Sequence, residues 1–260
     1  MEGICIRRTV AVVVVAVSLG LGTVRPADGV VGGTADGENH NYVGALLGPL
    51  GVPFCSGVLV ASSRGAVLLT TAHCLGPAGE GTQVTVGFGP TAAGGLEATG
   101  TFHVMAGYDA ATGRNDVALV AFPVPPPIRP VRLGTAVPPA GTAVTTVGYG
   151  RPSRGVRTYA TEIVVGSDPT WLYLEPGSGN SCDFDSGGPD LLDAVAGPTV
   201  VALTDRGTCS SDQDYLVTGQ AAHDFVDWPA LTDPAAPGAV RPLRSGPFEP
   251  AFFRAALPPS

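Results

Sequence analysis

The ten residues "SCDFDSGGPD", Ser181 to Asp190, decide how this chain is read. Asp-Ser-Gly-Gly-Pro has the form of a loop that presents a nucleophilic serine, here Ser186. The residue before the aspartate is Phe184, where such a loop calls for glycine. A serine hydroxyl is a poor nucleophile at neutral pH. It needs a base to take its proton, and the base needs a buried carboxylate to fix its tautomer and stabilise the imidazolium that forms. Working outward from Ser186, "TTAHC" puts His73 at the end of an apolar run, and "RNDVALV" puts Asp116 at the opening of another. Each is bland alone: a histidine beside a cysteine is usually structural, an aspartate can simply open a strand, and "DSGGP" can be a turn. The order His73, Asp116, Ser186 in one turn-rich chain makes the combination sharp.

Composition narrows the setting. The chain has 260 residues, 37 of them Gly and 25 Pro, with aromatic residues at only 7%. Gly and Pro scattered between short Val/Thr/Leu runs predict an all-β protein with many turns. A formal net charge of -8 argues against nucleic acid or an anionic membrane surface as partner. Every basic residue other than histidine is Arg. We read this as the codon bias of a GC-rich, bacterial genome rather than as chemistry.

Arg7 and Arg8 precede the apolar run "TVAVVVVAVSLGLG", followed by "TVRPADG". A basic start, an apolar stretch too short to span a bilayer and small residues beyond it predict a secretory signal peptide over residues 1–29. A membrane anchor is the competing reading, disfavoured by the short run and the lack of stop-transfer charges. The expected protein is secreted, extracellular and soluble. Cys5 lies in the signal segment, which leaves Cys55, Cys74, Cys182 and Cys209 for an oxidising compartment. Four cysteines allow three pairings, of which the local one, Cys55–Cys74 and Cys182–Cys209, is the economical choice. Zinc is disfavoured because no C-x-x-C occurs.

Strand-like segments follow in series: "FCSGVLVA", "GAVLLTTAHC", "TQVTVGFG", "DVALVAF", "GTAVTTVGYG", "TEIVVGS", "TWLYLE", "TVVALT" and "YLVTG". They suit a closed antiparallel barrel or a sandwich. A helical period appears only at "QAAHDFVDW", where Ala222, Phe225 and Val226 would share a face. The Pro-rich "FPVPPPIRPVRL" reads as a connection between two halves rather than a polyproline ligand. From Leu231 the tail has no period and much Pro, and is expected to be disordered.

From Val30 to about Trp228 the chain resembles the trypsin/chymotrypsin family of serine endopeptidases. "VVGG" is similar to its mature N-terminus, "FCSGVLV…LLTTAHC" to the strands carrying the first disulfide and the catalytic histidine, and "NDVALV" to the segment of the orienting aspartate. "GTAVTTVGYG" is similar to the strand opening the second barrel, "CDFDSGGP" to the nucleophile loop, and "VVALT…C…YLVTG" to the strands lining the specificity pocket. The resemblance implies two six-stranded antiparallel barrels, about 30–134 and 135–230, with the site between them. It assigns His73 as general base and acid, Asp116 as its orienting carboxylate and Ser186 as nucleophile. The order His, Asp, Ser is that of the chymotrypsin barrels. It implies a monomer acting on protein or peptide, with no metal or organic cofactor. It also pairs a mature N-terminal ammonium at Val30 with Asp185. Ala27 and Gly29 form a small-x-small site before Val30, so export alone would release that terminus without a separate zymogen stage.

Four departures leave the outcome open. The backbone N–H groups of Phe184 and Ser186 would bind the oxyanion, and a bulky residue takes positive φ only at a cost. Either the Phe184 donor is lost, slowing the reaction about 100- to 1000-fold, or the ring merely crowds the leaving-group side. Asn180 falls at the base of the specificity pocket, where trypsin-like members carry aspartate, so strong selection for Lys or Arg is not expected. Counting back from Tyr215 puts Gln213 where a glycine keeps the pocket open. Thr204, Asp205 and Arg206 replace Ser-Trp-Gly on the substrate-pairing edge, with Arg206 able to enter the cleft. These changes suggest a shallow, polar pocket, or else neutral loop variation.

The leading reading is a secreted serine endopeptidase. The alternatives are a catalytically silent member that binds protein, and an esterase or lipase. The last lacks the G-x-S-x-G elbow and has the wrong chain order. His40, His103 and His223 are expected to be structural or exposed, without titratable partners.

Overall fold

Short β-branched runs cut by Gly and Pro can bury their apolar faces only by closing on themselves and packing together. The computed structural model describes residues 30–227 apart from 64 and 152–154. The expected signal peptide (1–29) and tail (231–260) lie outside the described residues.

The first strands are β1 (Thr34–Ala35), β2 (Val43–Leu47), β3 (Pro53–Ser62), β4 (Gly65–Thr70), β5 (Gln83–Phe88), β6 (Leu96–Val104) and β7 (Ala118–Ala121). Then come β8 (Arg132–Leu133), β9 (Ala143–Gly148), β10 (Thr158–Ser167), β11 (Trp171–Pro176), β12 (Pro189–Leu192), β13 (Thr199–Gly207) and β14 (Asp212–Leu216), and helix α1 (Gln220–Val226). Strands β2-β3-β4-β7-β6-β5 close one six-stranded antiparallel barrel. Strands β9-β10-β11-β14-β13-β12 close a second, since β10 pairs with both β9 and β11. The N-terminal strand β1 pairs with β10 of the second barrel, so the chain starts on one barrel and then builds the other. The Pro-rich segment does serve as the connection between them, with β8 pairing in parallel with β13 at its end.

Three apolar clusters hold this arrangement. Barrel one is filled by Leu46, Leu59, Leu68, Val86, Phe102 and Val120 among others. A larger cluster joins the barrels through Val58, Leu69, Val147, Leu191, Val200 and Leu203. Ala222, Phe225 and Val226 of α1 dock on this second cluster, the face that the periodicity predicts. Barrel two differs. Its aliphatic cluster is smaller, with Val144, Val164, Leu172, Leu174 and Leu216. The inward positions of β9, β10, β12 and β14 continue as Thr146, Glu162, Asp190, Asp212 and Asp214, all buried. Barrel two thus encloses a layer of carboxyl groups.

Arg157 is also fully buried, with Nε 2.6 Å from Asp36 Oδ2 and Nη2 donating to the Gly37 carbonyl at 2.7 Å. His40 Nδ1 meets the other oxygen of Asp36, and His103 Nδ1 meets Glu80 at 3.0 Å. Two of the three remaining histidines therefore do have titratable partners, which corrects the sequence expectation. Both pairs join residues brought together by turns and strand pairing, for which the sequence carries no periodic signal. His223 Nε2 instead meets the Gly134 carbonyl at 3.0 Å. Among the described residues no helix is long and apolar enough to cross a membrane.

Candidate active site

Strand β4 ends at Thr70 and passes into a 3-10 turn, Ala72–Cys74, that carries His73. The Cys55–Cys74 disulfide, with Cα atoms 6.1 Å apart, ties this turn to β3. Asp116 is buried just before β7 and approaches the turn twice. His73 N–H donates to Asp116 Oδ1 at 2.8 Å, and His73 Nδ1 lies 3.1 Å from Oδ2. A ring nitrogen facing a carboxylate carries the proton, which leaves Nε2 bare and able to accept one. Burial of the imidazole works against its protonation, but the hydrogen bond and charge of Asp116, joined by the charge of Asp205, outweigh it. The His73 pKa is consequently raised, with Arg206 pulling the other way.

Ser186 arrives from barrel two on a loop closed by its own bonds, Asp185 N–H to Cys182 O at 3.0 Å and Gly188 N–H to Asp185 O at 2.8 Å. Ser56 N–H on β3 donates to the Ser186 carbonyl at 2.8 Å. At Gly187 (φ +80°) a Cβ would lie 2.1 Å from Thr70 Oγ1, so only glycine lets the loop press against the end of β4. The candidate nucleophile is thereby held across the barrel interface, beside the strand that delivers His73. The Cys182–Cys209 disulfide joins the loop to the segment after β13, completing the local pairing expected from the sequence.

Phe184 takes φ +74°, the left-handed conformation that glycine would adopt. Its carbonyl accepts from Ser56 Oγ at 3.2 Å, and the Arg151 guanidinium lies 5.3 Å from its ring centroid. The Asp183 carbonyl accepts from Arg151 N–H at 2.9 Å. Because a trans peptide points its C=O and N–H in opposite directions, the Phe184 N–H faces away from the Arg151 segment. The backbone has accepted the left-handed geometry, and the ring stacks near the Arg151 guanidinium. Phe184→Gly is therefore expected to leave kcat within about tenfold of the parent. A rise of about a hundredfold or more would show that the Phe184 donor is misaligned.

Asp185 is buried and accepts from Gly150 N–H at 2.8 Å and Cys182 N–H at 3.0 Å. Burial holds its pKa well above the usual carboxylate range, against the pull of these two donors. The structure does not bring Val30 N onto it. Val30 is buried, and its backbone N–H donates to Thr158 Oγ1 at 2.6 Å, while Val31 and Asn180 exchange two backbone bonds of 2.9 Å. In the intact chain this nitrogen is a peptide amide, not an ammonium, and has no charge to offer Asp185.

A cavity of about 210 Å³ opens beside Ser186, lined by Ser181, Thr204, Arg206 and Asp212 among others. Asn180 is buried and is not among its lining residues; it donates through Nδ2 to the Ser181 carbonyl at 3.0 Å and to Asp212 Oδ2, which does line it. Ser181 Oγ donates to the same carboxylate oxygen at 2.7 Å. Gln213, placed in the pocket by counting from Tyr215, is exposed instead. Strand alternation along β14 turns Asp212, Asp214 and Leu216 inward and Gln213 outward. Thr204 is buried with its hydroxyl 3.5 Å from that of Thr146, inside barrel two. Arg206 spans the cleft, with Nε 3.1 Å from Asp205 Oδ1 and its guanidinium carbon 4.4 Å from the Trp171 ring centroid.

Sequence reasoning missed two residues here. Asp212 was legible only as sharing a face with Asp214 and Leu216 in the alternation of "DQDYL", not as facing the pocket. Asp205 was not: a register shift between Leu203 and Arg206 turns its carboxyl toward His73 and Asp116. Donor atoms of these three lie within 4.8 Å of one another. His73 and Asp116 already satisfy each other and Arg206 holds Asp205, so the cluster reads as an ion network rather than a metal centre. Cys55 and Cys74 beside His73 are in a disulfide and have no thiolate to offer.

The family model for Trypsin matches residues 30–228. The chain belongs to the trypsin family. Over 120 residues it is 31% identical to a trypsin of Sarcophaga bullata, a match covering 44% of this chain and 46% of that one. The chain thus spans about half the length of the curated relative it matches. A mutant of human heparin binding protein shares the fold with a TM-score of 0.63 and 19% identity, covering 80% of this chain and 100% of that one. Human heparin binding protein itself gives 0.60 at 20% identity, covering 76% and 95%. At these identities the structural likeness speaks for the trypsin-family fold alone.

Proposed function

We propose that this chain is a secreted serine endopeptidase that hydrolyses peptide bonds through an acyl-enzyme. The observation that carries the reading is the two-point grip of Asp116 on His73 beside a loop that presses Ser186 against the same strand end. In this mechanism His73 Nε2 takes the Ser186 proton as Oγ attacks the substrate carbonyl. The N–H groups of Ser186 and Phe184 receive the oxyanion, and the imidazolium returns its proton to the leaving amine. Water then attacks the acyl-enzyme by the same route.

Removal of residues 1–29 on export would turn Val30 N into an ammonium. That charge would suit Asp185, a buried carboxyl held by two backbone N–H groups. Two of the carboxylates lining the pocket are already engaged, Asp212 by Asn180 and Ser181 and Asp205 by Arg206. Small, uncharged P1 residues are expected to lead, with Arg and Lys behind.

A protein-binding role without catalysis is the second reading, favoured by the Arg206 side chain lying across the cleft onto Trp171. A peptide library separates the two. The secreted protein, shown by N-terminal sequencing to begin at Val30, is expected to cleave after small residues, and its His73→Ala variant to cleave nothing. Folded protein with that terminus and no cleavage would leave the binding role standing.

A further inference from the structure

The imidazole of His73 faces two carboxylates, and the proposed reaction uses only one. Asp205 comes from β13, where the shift in register with β14 sends Thr204 into barrel two and leaves Asp205 N–H bonded to Asp214 Oδ1 at 3.1 Å. Its side chain is 2% exposed. One oxygen meets Arg206 Nε at 3.1 Å, and the other, Oδ2, has no hydrogen-bond partner among the described residues. A buried carboxylate with one oxygen unsatisfied is costly to keep. Its neighbours pull both ways: ligand atoms of His73 and Asp116 lie within 4.8 Å of its carboxyl, the imidazole favouring its charge and the Asp116 carboxylate opposing it.

We propose that Asp205 is a positioning residue of the catalytic base, a second carboxylate that stabilises protonated His73 together with Asp116 and is itself steadied by Arg206. This rests on the protease reading above. When His73 takes the Ser186 proton, the new positive charge lies beside two buried anions, while the imidazole itself stays 32% exposed. Arg206 favours the ionised form of Asp205 while the imidazole is neutral, against burial and the charge of Asp116.

The other groups around this corner do not titrate with it. Tyr108, on the loop after β6, is pushed up to about 12 by burial and by the charges of Asp116 and Asp205. Tyr215 on β14 is raised by burial. Asp109 is held low by the Ala111 N–H, and buried Asp214 is held well above its usual range by burial and Asp190. Asp205 itself is raised to about 6, by burial first and Asp116 second, against His73 and Arg206. His73 and Asp205 are thus the pair in this corner that raise and lower each other's proton affinity.

The test is the pH dependence of kcat/KM for the parent and for Asp205→Asn, beside an NMR titration of the His73 imidazole in a Ser186→Ala background. Loss of the second anion is expected to move the acid limb, and the His73 midpoint, down by about one pH unit. A merely structural Asp205 would change the rate and leave both midpoints in place, which overturns the proposal. In Ser186→Ala protein that retains Asp205, the His73 resonances should report two titration steps, its own and that of Asp205. A single one-proton curve overturns the proposal even where Asp205→Asn does not fold. A two-step curve in a protein that cleaves nothing leaves the Asp205–His73 coupling standing and removes the protease reading.

Discussion

Replacing Ser186 with alanine is expected to abolish labelling by a fluorophosphonate and to lower peptide turnover by about 10⁴- to 10⁶-fold. In the proposed mechanism the Ser186 hydroxyl, beside the cavity, is the group that the His73–Asp116 pair deprotonates. Without it the N–H groups of Phe184 and Ser186 still stand, so a residual acceleration of about 10³-fold over water is expected from them and from binding. His73→Ala should lose nearly as much, and the double variant hardly more, because the two residues act as one unit. Mass spectrometry locates the label. Label persisting on Ser186→Ala, or an additive double variant, would mean that a different residue carries the chemistry.

The second large effect is a loss of stability as pH rises. Glu162 and Asp190 are fully buried in barrel two, and burial with like charges nearby raises Glu162 to about 10 and Asp190 to about 7. Asp212 and Asp214 are raised too, again by burial first. In the unfolded chain such groups titrate near pH 4. The folded state therefore binds more protons than the unfolded one. The resulting stability is complete below about pH 4, falls as Asp190 is titrated toward pH 7, and continues to fall as Glu162 is titrated toward 10. Asp36 acts in the opposite sense. Burial works against its ionisation, but His40 and Arg157 hold its pKa low, so its contribution is lost in acid. Asp185 is left out of the balance, since an ammonium at Val30 would ionise it. Thermal melts of Ser186→Ala, which cannot digest itself, should show Tm falling by about 10 °C between pH 5 and 8, a few kcal/mol for a domain of this size. Glu162→Gln should flatten the alkaline part of the curve. A Tm that is level or rises over that range would mean the carboxyl layer is hydrated or paired in solution.

The twelve barrel strands differ in how plainly the sequence announced them. Nine appear as β-branched runs between turns. The other three are β2, β6 and β12, and each breaks that rule for a reason. Strand β2, "VGALL", carries Gly44, because a Cβ there would lie 2.6 Å from Val86 Cγ1. Strand β6 is largely exposed, so its residues alternate weakly. Strand β12, "PDLL", follows the nucleophile loop without a break and turns an aspartate inward. Local composition reports what a strand buries against apolar neighbours, and these three bury little, pack too closely, or bury a carboxyl.

The sequence by itself determined the two-barrel family, the pairing of neighbouring cysteines, and the order His73, Asp116, Ser186. These rest on short-range patterns, with the residues that form each turn adjacent in the chain. Tertiary structure alone decided three things. Phe184 could keep a glycine conformation because Ser56 and Arg151 fix the peptides on either side of it. Asp212 rather than Gln213 lines the pocket because the β11–β14 register sets which face looks inward. Asp205 meets His73 because an irregularity between β13 and β14 rotates one residue toward the other barrel. In each case contacts between segments far apart in the chain fix which way a peptide or side chain points, and no local pattern of residue types encodes that direction.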